Sequence, residues 1–221
     1  LTNNDPVTIW ADQSGNGNDL LQQSTDPVPV FRTDGLGGTF NAVRFDGTER
    51  YLTLADNATL DGTPGVSVSI VMRAALLDGQ PRGVLSKRVN SSTAESYSVF
   101  THTGNRLNFD VRTGGDSRIN SSGTTLNTTT NYILSNTYDG GTQSIIIQSA
   151  LANSTGLSGT VNDASAPLYL GSLNNNYGTY YDGDIAEVII YGDGLNNAER
   201  IVVENYLSTK YGISIGANDF W

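Results

Sequence analysis

The chain alternates apolar and polar residues in short runs, and this alternation predicts a protein built mainly from β-strands. The clearest run lies at Val66–Met72, where apolar residues recur at every second position and Ser67 and Ser69 lie between them. Side chains two positions apart share one face of a strand, so this run has one core face and one more polar face. Similar runs between turn residues predict further strands at Pro27–Phe31, Ala42–Phe45, Val84–Val89, Tyr97–Thr101, Leu107–Val111, Asn131–Tyr138 and Ser144–Gln148.

The stretch Pro167–Ile213 contains the longest predicted strand, Gly183–Tyr191. It carries apolar residues at neighbouring positions, which indicates a central strand buried on both faces. Because side chains alternate, even-numbered and odd-numbered residues are expected on opposite faces. We expect the segment that follows to cover the second face. The first face comprises Ala186, Val188 and Ile190, and the second comprises Ile185, Glu187, Ile189 and Tyr191.

A helix is predicted after this strand, between Asn196 and Gly212. Asn196 is a good N-cap residue and Glu199 stands three positions later, which is the sequence of a capping box. Gly212 can adopt the left-handed conformation that ends many helices. The apolar residues that recur at helical spacing, and that we expect to face the sheet, are Ala198, Ile201, Val202 and Leu207.

The composition narrows the class of protein. A length of 221 residues suits one all-β domain, and 25 Gly against only 6 Pro suit short strands joined by polar turns. The absence of Cys excludes disulfides, thiolate metal sites and cysteine nucleophiles. The net charge of −10 disfavours nucleic acid as a partner, because phosphate binding needs a basic surface. No apolar run approaches the roughly 18 residues of a membrane helix, so membrane insertion is not expected.

Three motifs carry a resemblance to a known family: Val7–Leu21, Val43–Leu52 and Gly183–Ile213. Together they resemble bacterial laminin-G-like domains, which belong to the concanavalin A-like lectin/glucanase superfamily. The resemblance implies an all-β fold, namely a jelly-roll-type antiparallel β-sandwich with one C-terminal α-helix, formed by residues 1–221 as a single domain. Since the chain begins at Leu1 without a signal peptide, we expect it to be part of a longer protein that is extracellular or at the cell surface.

A polar loop rich in tyrosine and asparagine, between two core strands, is the predicted ligand surface. Sugar recognition combines aromatic rings, which contact the apolar face of a pyranose, with amides and carboxylates that bind hydroxyls. The alternative is that these tyrosines pack onto neighbouring loops. The candidate ligand-binding residues are Asn174, Asn176, Tyr177, Tyr180, Tyr181 and Asp182.

A second candidate site is the Gly-punctuated loop that follows Trp10. Its carboxylate and amide oxygens are the hard ligands that calcium prefers, and calcium in the resembling domains often sits at a rim loop. The alternative is a turn whose Asx side chains cap its own backbone. The predicted metal ligands are Asp12, Asn16, Asn18 and Asp19, completed by Asp46 or Glu187.

A catalytic centre is not predicted. Glycosidases need a pair of carboxylates across a cleft, and enzymes of this superfamily place acidic residues at alternate positions on one strand. Glu187 lies on a strong strand but has isoleucine at positions 185 and 189. The sequence therefore favours a non-catalytic carbohydrate-binding or adhesion module, with a glycan or surface polysaccharide as its partner.

The alternative function is a structural subunit or spacer of a surface filament. Resembling domains usually begin with a short apolar strand just before the segment that matches Leu1–Trp10, whereas Leu1–Pro6 is polar and interrupted by proline. If the chain is complete, one sheet is expected to lack a strand and to expose an unpaired edge near Val7–Trp10; the alternative is that the strand lies upstream of Leu1. A neighbouring subunit could add a strand there. The candidate donor is Ile213–Trp221, whose aromatic residues offer apolar anchors.

Overall fold

The computed structural model describes residues 1–23, 27–38, 40–89, 95–174 and 179–220. In this part of the chain, two antiparallel sheets pack face to face around a shared apolar core. A helix near the C-terminus covers the outer face of one sheet. The predicted jelly-roll-type β-sandwich with a C-terminal helix is confirmed.

The first sheet has eight strands, and it combines pairs of consecutive strands with pairs of strands that are distant in sequence. Its inward side chains form one half of the main core, with Leu52, Leu85, Leu170 and Phe109 fully buried. In spatial order the strands are β1 (Ile9–Trp10), β2 (Leu20–Leu21), β5 (Leu52–Leu54), β14 (Leu168–Leu170), β7 (Arg82–Arg88), β8 (Glu95–His102), β9 (Arg106–Arg112) and β10 (Asp116–Asn120).

The second sheet has seven strands, with the predicted alternating run Val66–Met72 near its centre. Val66, Val68, Ile70 and Met72 are completely buried against the first sheet. In spatial order the strands are β13 (Ala150–Gly156), β12 (Thr142–Ile147), β11 (Tyr132–Tyr138), β6 (Val66–Ala74), β15 (Asp182–Tyr191), β4 (Phe40–Asp46) and β3 (Val30–Asp34).

The strand predicted at Pro27–Phe31 begins later than expected, at Val30. Pro27 and Pro29 carry no backbone N–H and cannot donate to a sheet ladder, so pairing starts after them. The single turns of helix outside the sheets are Gly35–Gly38, Ala58–Leu60, Thr103–Asn105 and Gly216–Asn218.

A β-bulge changes the predicted faces of the Gly183–Tyr191 strand. The bulge lies just after Ile185, where β15 pairs with β6. One extra residue shifts the alternation by one position, so the prediction that even and odd residues keep to opposite faces throughout is wrong. The main core receives Ile185, Val188 and Ile190, and the helix side receives Ala186 and Ile189.

The helix spans Asn197–Tyr211, and its caps are those predicted. The side chain of Asn196 accepts hydrogen bonds from the N–H groups of Ala198 and Glu199, at 2.9 and 3.1 Å. The Glu199 carboxylate accepts the N–H of Asn196 at 2.9 Å, which completes the capping box. Gly212 ends the helix in the left-handed conformation.

The helix contacts the sheet through only part of the predicted stripe, because Leu207 faces the sheet as predicted and Val202 does not. Leu207 is completely buried and Tyr211 is 7% exposed, whereas Val202 is 70% exposed. Leu207 and Tyr211 are one turn apart and set the buried face, so Val202 falls on the opposite side. Among the described residues, no helix combines the length and apolar character needed to cross a membrane.

The C-terminal segment packs onto its own chain. Ile213 and Ile215 are buried in the cluster beneath the helix. The Asn205 side chain donates to the carbonyl of Asn218 and accepts the N–H of Phe220. The prediction that Ile213–Trp221 is free to enter a neighbouring subunit is therefore wrong for its buried part, while Trp221 lies outside the described residues.

Candidate functional site

The sandwich opens where β15 and β4 separate. β4 pairs with β15 only over Asp182–Ile185. From Glu187 to Tyr191, β15 pairs only with β6 among the described residues. The strand that is central at one end thus becomes an edge strand at the other.

Two adjoining grooves, of about 560 and 580 Å³, occupy this opening. The floor of the second groove includes Leu85, Leu168 and Leu170 from the eight-stranded sheet, so this groove reaches between the two sheets. We call the combined cleft the β15 groove. The residues common to both parts are Trp10, Ala11, Gln13, Ala186 and Lys210.

One wall of the β15 groove is the polar loop that joins β1 to β2. The Asp12 carboxylate accepts the backbone N–H groups of Ser14 and Asn18, at 2.8 and 3.0 Å. These bonds, first that from Asn18, lower the pKa of Asp12 below its usual value. The Asn18 amide donates to the hydroxyl of Thr59 at 2.9 Å. The loop therefore has the hydrogen bonds of a self-capped turn, which is the alternative to a metal site that the sequence left open.

The opposite wall is β15 itself, with a charged network at its rim. The Glu187 carboxylate accepts hydrogen bonds from the hydroxyls of Tyr206 and Tyr211, at 3.0 and 2.8 Å, and pairs with Lys210 at 2.8 Å. Burial opposes the charge of Lys210, but its bonds to Glu187 and Tyr206 raise its pKa above the usual value. Glu187 thus has several partners and anchors the helix to the strand.

The structure separates the predicted metal ligands. Asp12, Asn16, Asn18 and Glu187 line the β15 groove together. The Asp19 carboxylate accepts the N–H of Asp12 at 2.8 Å.

Asp46 lies away from the other predicted metal ligands. It pairs with Arg50 and lies opposite Asp182 across the β4–β15 ladder. That position is five residues from Glu187 along β15, roughly 16 Å at the rise of a strand. Of the two residues predicted to complete the site, Glu187 therefore lines the groove with the Asp12 loop and Asp46 does not.

The described residues of the predicted ligand loop lie on the outer side of the eight-stranded sheet. Asn174 donates to the carbonyl of Val89, and the carbonyl of Tyr180 accepts from Arg82. Tyr180 stacks on Tyr51 with ring centroids 6.1 Å apart and is 8% exposed. Asn176 and Tyr177 lie outside the described residues.

Two further residues of the predicted ligand surface lie at the start of β15. Tyr181 is 1% exposed and packs against Phe45, with ring centroids 6.3 Å apart. Asp182 is half-buried, and burial raises its pKa above the usual value despite the nearby guanidinium groups of Arg82 and Arg44. Both tyrosine rings of the described part are thus packed against protein.

Sequence reasoning missed a cluster of three carboxylates, Asp56, Asp61 and Asp163. Their oxygens lie within 4.8 Å of one another, so the cluster could hold a metal ion. The buried amine of Lys87 contacts Asp56 and lies 3.0 Å from Asp61, which supplies part of the balancing charge. Asp163 is distant in sequence from the other two and no short motif joins them, so only the folded chain shows the cluster.

These features define a lectin-like β-sandwich with a cleft at one open edge. The profile of the family described as "Concanavalin A-like lectin/glucanases superfamily" (Laminin_G_3) matches residues 46–199, which is more than half of the chain. The chain therefore belongs to this family, as its motifs indicate. No curated protein shows a significant sequence match to the chain.

Several solved structures share the fold at low sequence identity. The binding domain of Paraclostridial Mosquitocidal Protein 1 superposes with a TM-score of 0.70 and 16% identity, over 93% of this chain and 51% of that one. The binding domain of Botulinum Neurotoxin DC in complex with SialylT gives 0.55 and 12%, over 91% and 45%. The chain thus spans about half the length of these toxin domains.

A third similar structure is of a size comparable to this chain. It is domain 4 of AbnA, an extracellular arabinanase from Geobacillus stearothermophilus, in complex with arabinotriose. The TM-score is 0.59 at 18% identity, over 87% of this chain and 84% of that domain. At such identities the likeness establishes the fold alone.

Proposed function

We propose that this protein is a non-catalytic, extracellular carbohydrate-binding module and that the β15 groove receives the glycan. One observation supports this location above all: a single cleft lined by two aromatic residues, Trp10 and Tyr191, and by the amides of Gln13, Asn16 and Asn18. Aromatic rings suit the apolar face of a sugar, and amides bind its hydroxyls in pairs. Similar folds complexed with arabinotriose and SialylT make glycans the favoured ligand class.

The arrangement of acidic groups supports a binding role rather than hydrolysis. Glu187 is engaged by two tyrosine hydroxyls and Lys210, and Asp12 is engaged by its own loop. A glycosidase needs one carboxyl group to donate a proton and a second to act as nucleophile or base. Glu187 and Asp12 are each held by other groups, so they do not form the pair of available carboxyl groups that this chemistry requires.

The test is a glycan array followed by titration of the glycans that bind. Tyr191→Ala removes a 39% exposed ring of the groove, and we expect affinity to fall about tenfold, corresponding to roughly 1.4 kcal/mol of aromatic contact. Asn16→Ala should also weaken binding, because it removes amide hydrogen bonds. The matched aromatic control is Phe220→Ala, which changes a 69% exposed ring outside the groove and should have no effect.

The predicted loop on the other surface provides the competing location. If Asn174→Ala and Tyr177→Ala abolish glycan binding while Tyr191→Ala and Asn16→Ala leave it intact, the groove is not the glycan site. If no glycan binds the wild-type protein, the function itself is wrong.

We include calcium in the proposal, at the Asp56, Asp61 and Asp163 cluster. Carboxylate oxygens are calcium's preferred ligands, and all three groups are close enough to share one ion. Lys87 competes for the same oxygens, so we expect weak affinity, in the range of about 10⁻⁴–10⁻³ M that is typical of extracellular modules. The Asp12 loop is the less suitable place, because the Asp12 oxygens already accept backbone hydrogen bonds.

A further inference from the structure

The tip of the loop between β1 and β2 carries an asparagine that is followed directly by a glycine. Asn16–Gly17 is the only Asn–Gly pair among the 221 residues. In such a pair the backbone nitrogen of the second residue can attack the side-chain carbonyl carbon of the asparagine, and a glycine without Cβ hinders this approach least. Asparagine is one of the thermolabile residues of proteins for this kind of reason. Whether the pair reacts depends on how the fold holds it.

The fold fixes the base of this loop and leaves its tip unrestrained. The Asp12 carboxylate accepts the N–H groups of Ser14 and Asn18, at 2.8 and 3.0 Å. Between these two points, and within the described part of the chain, the side chain of Asn16 makes no hydrogen bond and the N–H of Gly17 donates none. Both residues are exposed. The attacking nitrogen and the carbon that it attacks are therefore free to rotate towards each other.

The surroundings of the tip also leave room for the reaction. Gly15 and Gly17 have φ angles of 87° and 74°, which glycine adopts readily. No heavy atom of the described residues lies within 4 Å of the point where a Cβ on either glycine would be. Asn18, in the same loop, differs in two ways: its amide donates to the hydroxyl of Thr59 at 2.9 Å, and the next residue is Asp19. Asn18 is thus an internal reference for Asn16.

We propose that Asn16 is a site of spontaneous deamidation, a modification that changes the wall of the β15 groove as the protein ages. The nitrogen of Gly17 forms a bond to Cγ of Asn16, and the Cγ–Nδ2 bond breaks. The amide nitrogen leaves as ammonia, together with the proton that Gly17 has lost. Water then opens the resulting succinimide ring at either of its two carbonyl carbons, which leaves aspartate or isoaspartate at position 16. The reaction needs only water.

The expected consequence rests on the proposed glycan site. Asn16 lines the β15 groove together with Asp12 and Glu187, so deamidation adds a carboxylate to a wall that already carries two. It also removes an NH₂ group that can donate hydrogen bonds to sugar hydroxyls. The isoaspartate product further lengthens the main chain at the tip by one CH₂ group. Glycan affinity of the modified protein should fall about fivefold, the equivalent of one hydrogen bond.

The first test follows the modification itself, without any ligand. Wild-type protein is incubated at neutral pH, digested at intervals, and its peptides are sequenced by mass spectrometry. Replacement of NH₂ by OH raises the mass of the residue, and we expect this gain at Asn16 to grow with time while Asn18 stays unchanged. Protein unfolded in urea supplies the reference rate, which the folded protein should match within a few-fold. No gain at Asn16 in the folded protein, or an equal gain at Asn18, overturns the proposal.

The second test links the modification to the groove. Anion exchange separates the deamidated protein, which carries one more negative charge, and both fractions are applied to a glycan array that includes arabinotriose and SialylT. The matched control is Asn16→Gln, which keeps an amide but would have to close a larger and slower-forming ring. Aged Asn16→Gln should bind as its own fresh sample does.

Equal binding by the two wild-type fractions overturns the effect on the groove. If fresh wild-type protein binds no glycan, the proposed function fails, and the mass gain at Asn16 still decides whether the modification occurs.

Discussion

Asp182 and Asp184 lie two residues apart on β15 but have different surroundings. The Asp184 side chain is 1% exposed; it pairs with Arg44 and accepts the N–H of Leu36 at 2.9 Å. Asp182 is half-buried without an equivalent pair, and its pKa is raised, first by burial. Alternate residues on a strand share a face, so this difference comes from the neighbours each meets along the strand and not from the face.

The raised pKa of Asp182 predicts a pH-dependent effect of Asp182→Asn. A carboxyl group whose folded pKa exceeds its unfolded value of 3.8 binds its proton more tightly in the folded state. The cost of its charge is therefore present at neutral pH and disappears as the pH falls through the folded pKa. Asp182→Asn should raise the free energy of unfolding at pH 7, and the gain should vanish near pH 3.8. Urea unfolding at a series of pH values measures it.

The matched control is Asp184→Asn, which should lower the free energy of unfolding by about 2 kcal/mol at pH 7, because it weakens a buried charge-assisted pair. If both substitutions destabilise the protein equally at neutral pH, Asp182 does not carry a desolvation cost.

At the scale of elements, the sequence specifies the two ends of the helix more clearly than the face that packs on the sheet. The caps are local: Asn196, Glu199 and Gly212 act within one turn of themselves. The buried stripe depends on where the helix meets the sheet, and there Leu207 and Tyr211 take the contact while Val202 faces outward. Sequence reasoning therefore identified the caps correctly and assigned Val202 to the wrong side.

Two substitutions in the helix distinguish capping from packing. Asn196→Ala removes a side chain that accepts two backbone hydrogen bonds, and should cost about 1 kcal/mol, or roughly 2–4 °C in Tm. Val202→Ala changes an exposed apolar residue and should fall within about 0.5 kcal/mol of wild type. Differential scanning calorimetry measures both. A larger loss for Val202→Ala than for Asn196→Ala would mean that the helix packs through its predicted face.

At the scale of the whole molecule, the acidic composition has a structural consequence that no local motif reveals. The net charge is −10, and three of the carboxylates lie within 4.8 Å of one another, two of them beside the buried amine of Lys87. A cation that binds this cluster in the folded chain, and does not bind the unfolded chain, raises the free energy of unfolding.

Calcium should therefore raise Tm, and EDTA should reverse the effect. At a calcium concentration of about 100 times Kd, mass action stabilises the fold by roughly 2.7 kcal/mol. Asp163→Asn should abolish the calcium-dependent shift, whereas Asp12→Asn should leave it unchanged. Identical melting curves with calcium and with EDTA would remove calcium from the proposed function. A shift lost only in Asp12→Asn would instead assign the ion to the loop between β1 and β2.

The sequence by itself determined the features that depend on neighbouring residues. Alternation at Val66–Met72 identified a core strand, and Asn196 with Glu199 identified a capped helix start, because both signals arise within a few residues. The family motifs identified the sandwich. They also placed Asp12, Asn16 and Asn18 on one loop, since these residues are close along the chain.

Only the tertiary structure decided how distant segments meet. The bulge after Ile185 moved Ala186 to the helix side, and the separation of β4 from β15 opened the groove that joins Asn16 and Asn18 to Glu187. The same long-range packing buried Tyr181 and set Asp46 apart from Glu187. These outcomes follow from pairing between strands far apart in sequence, where one extra residue redirects every side chain after it.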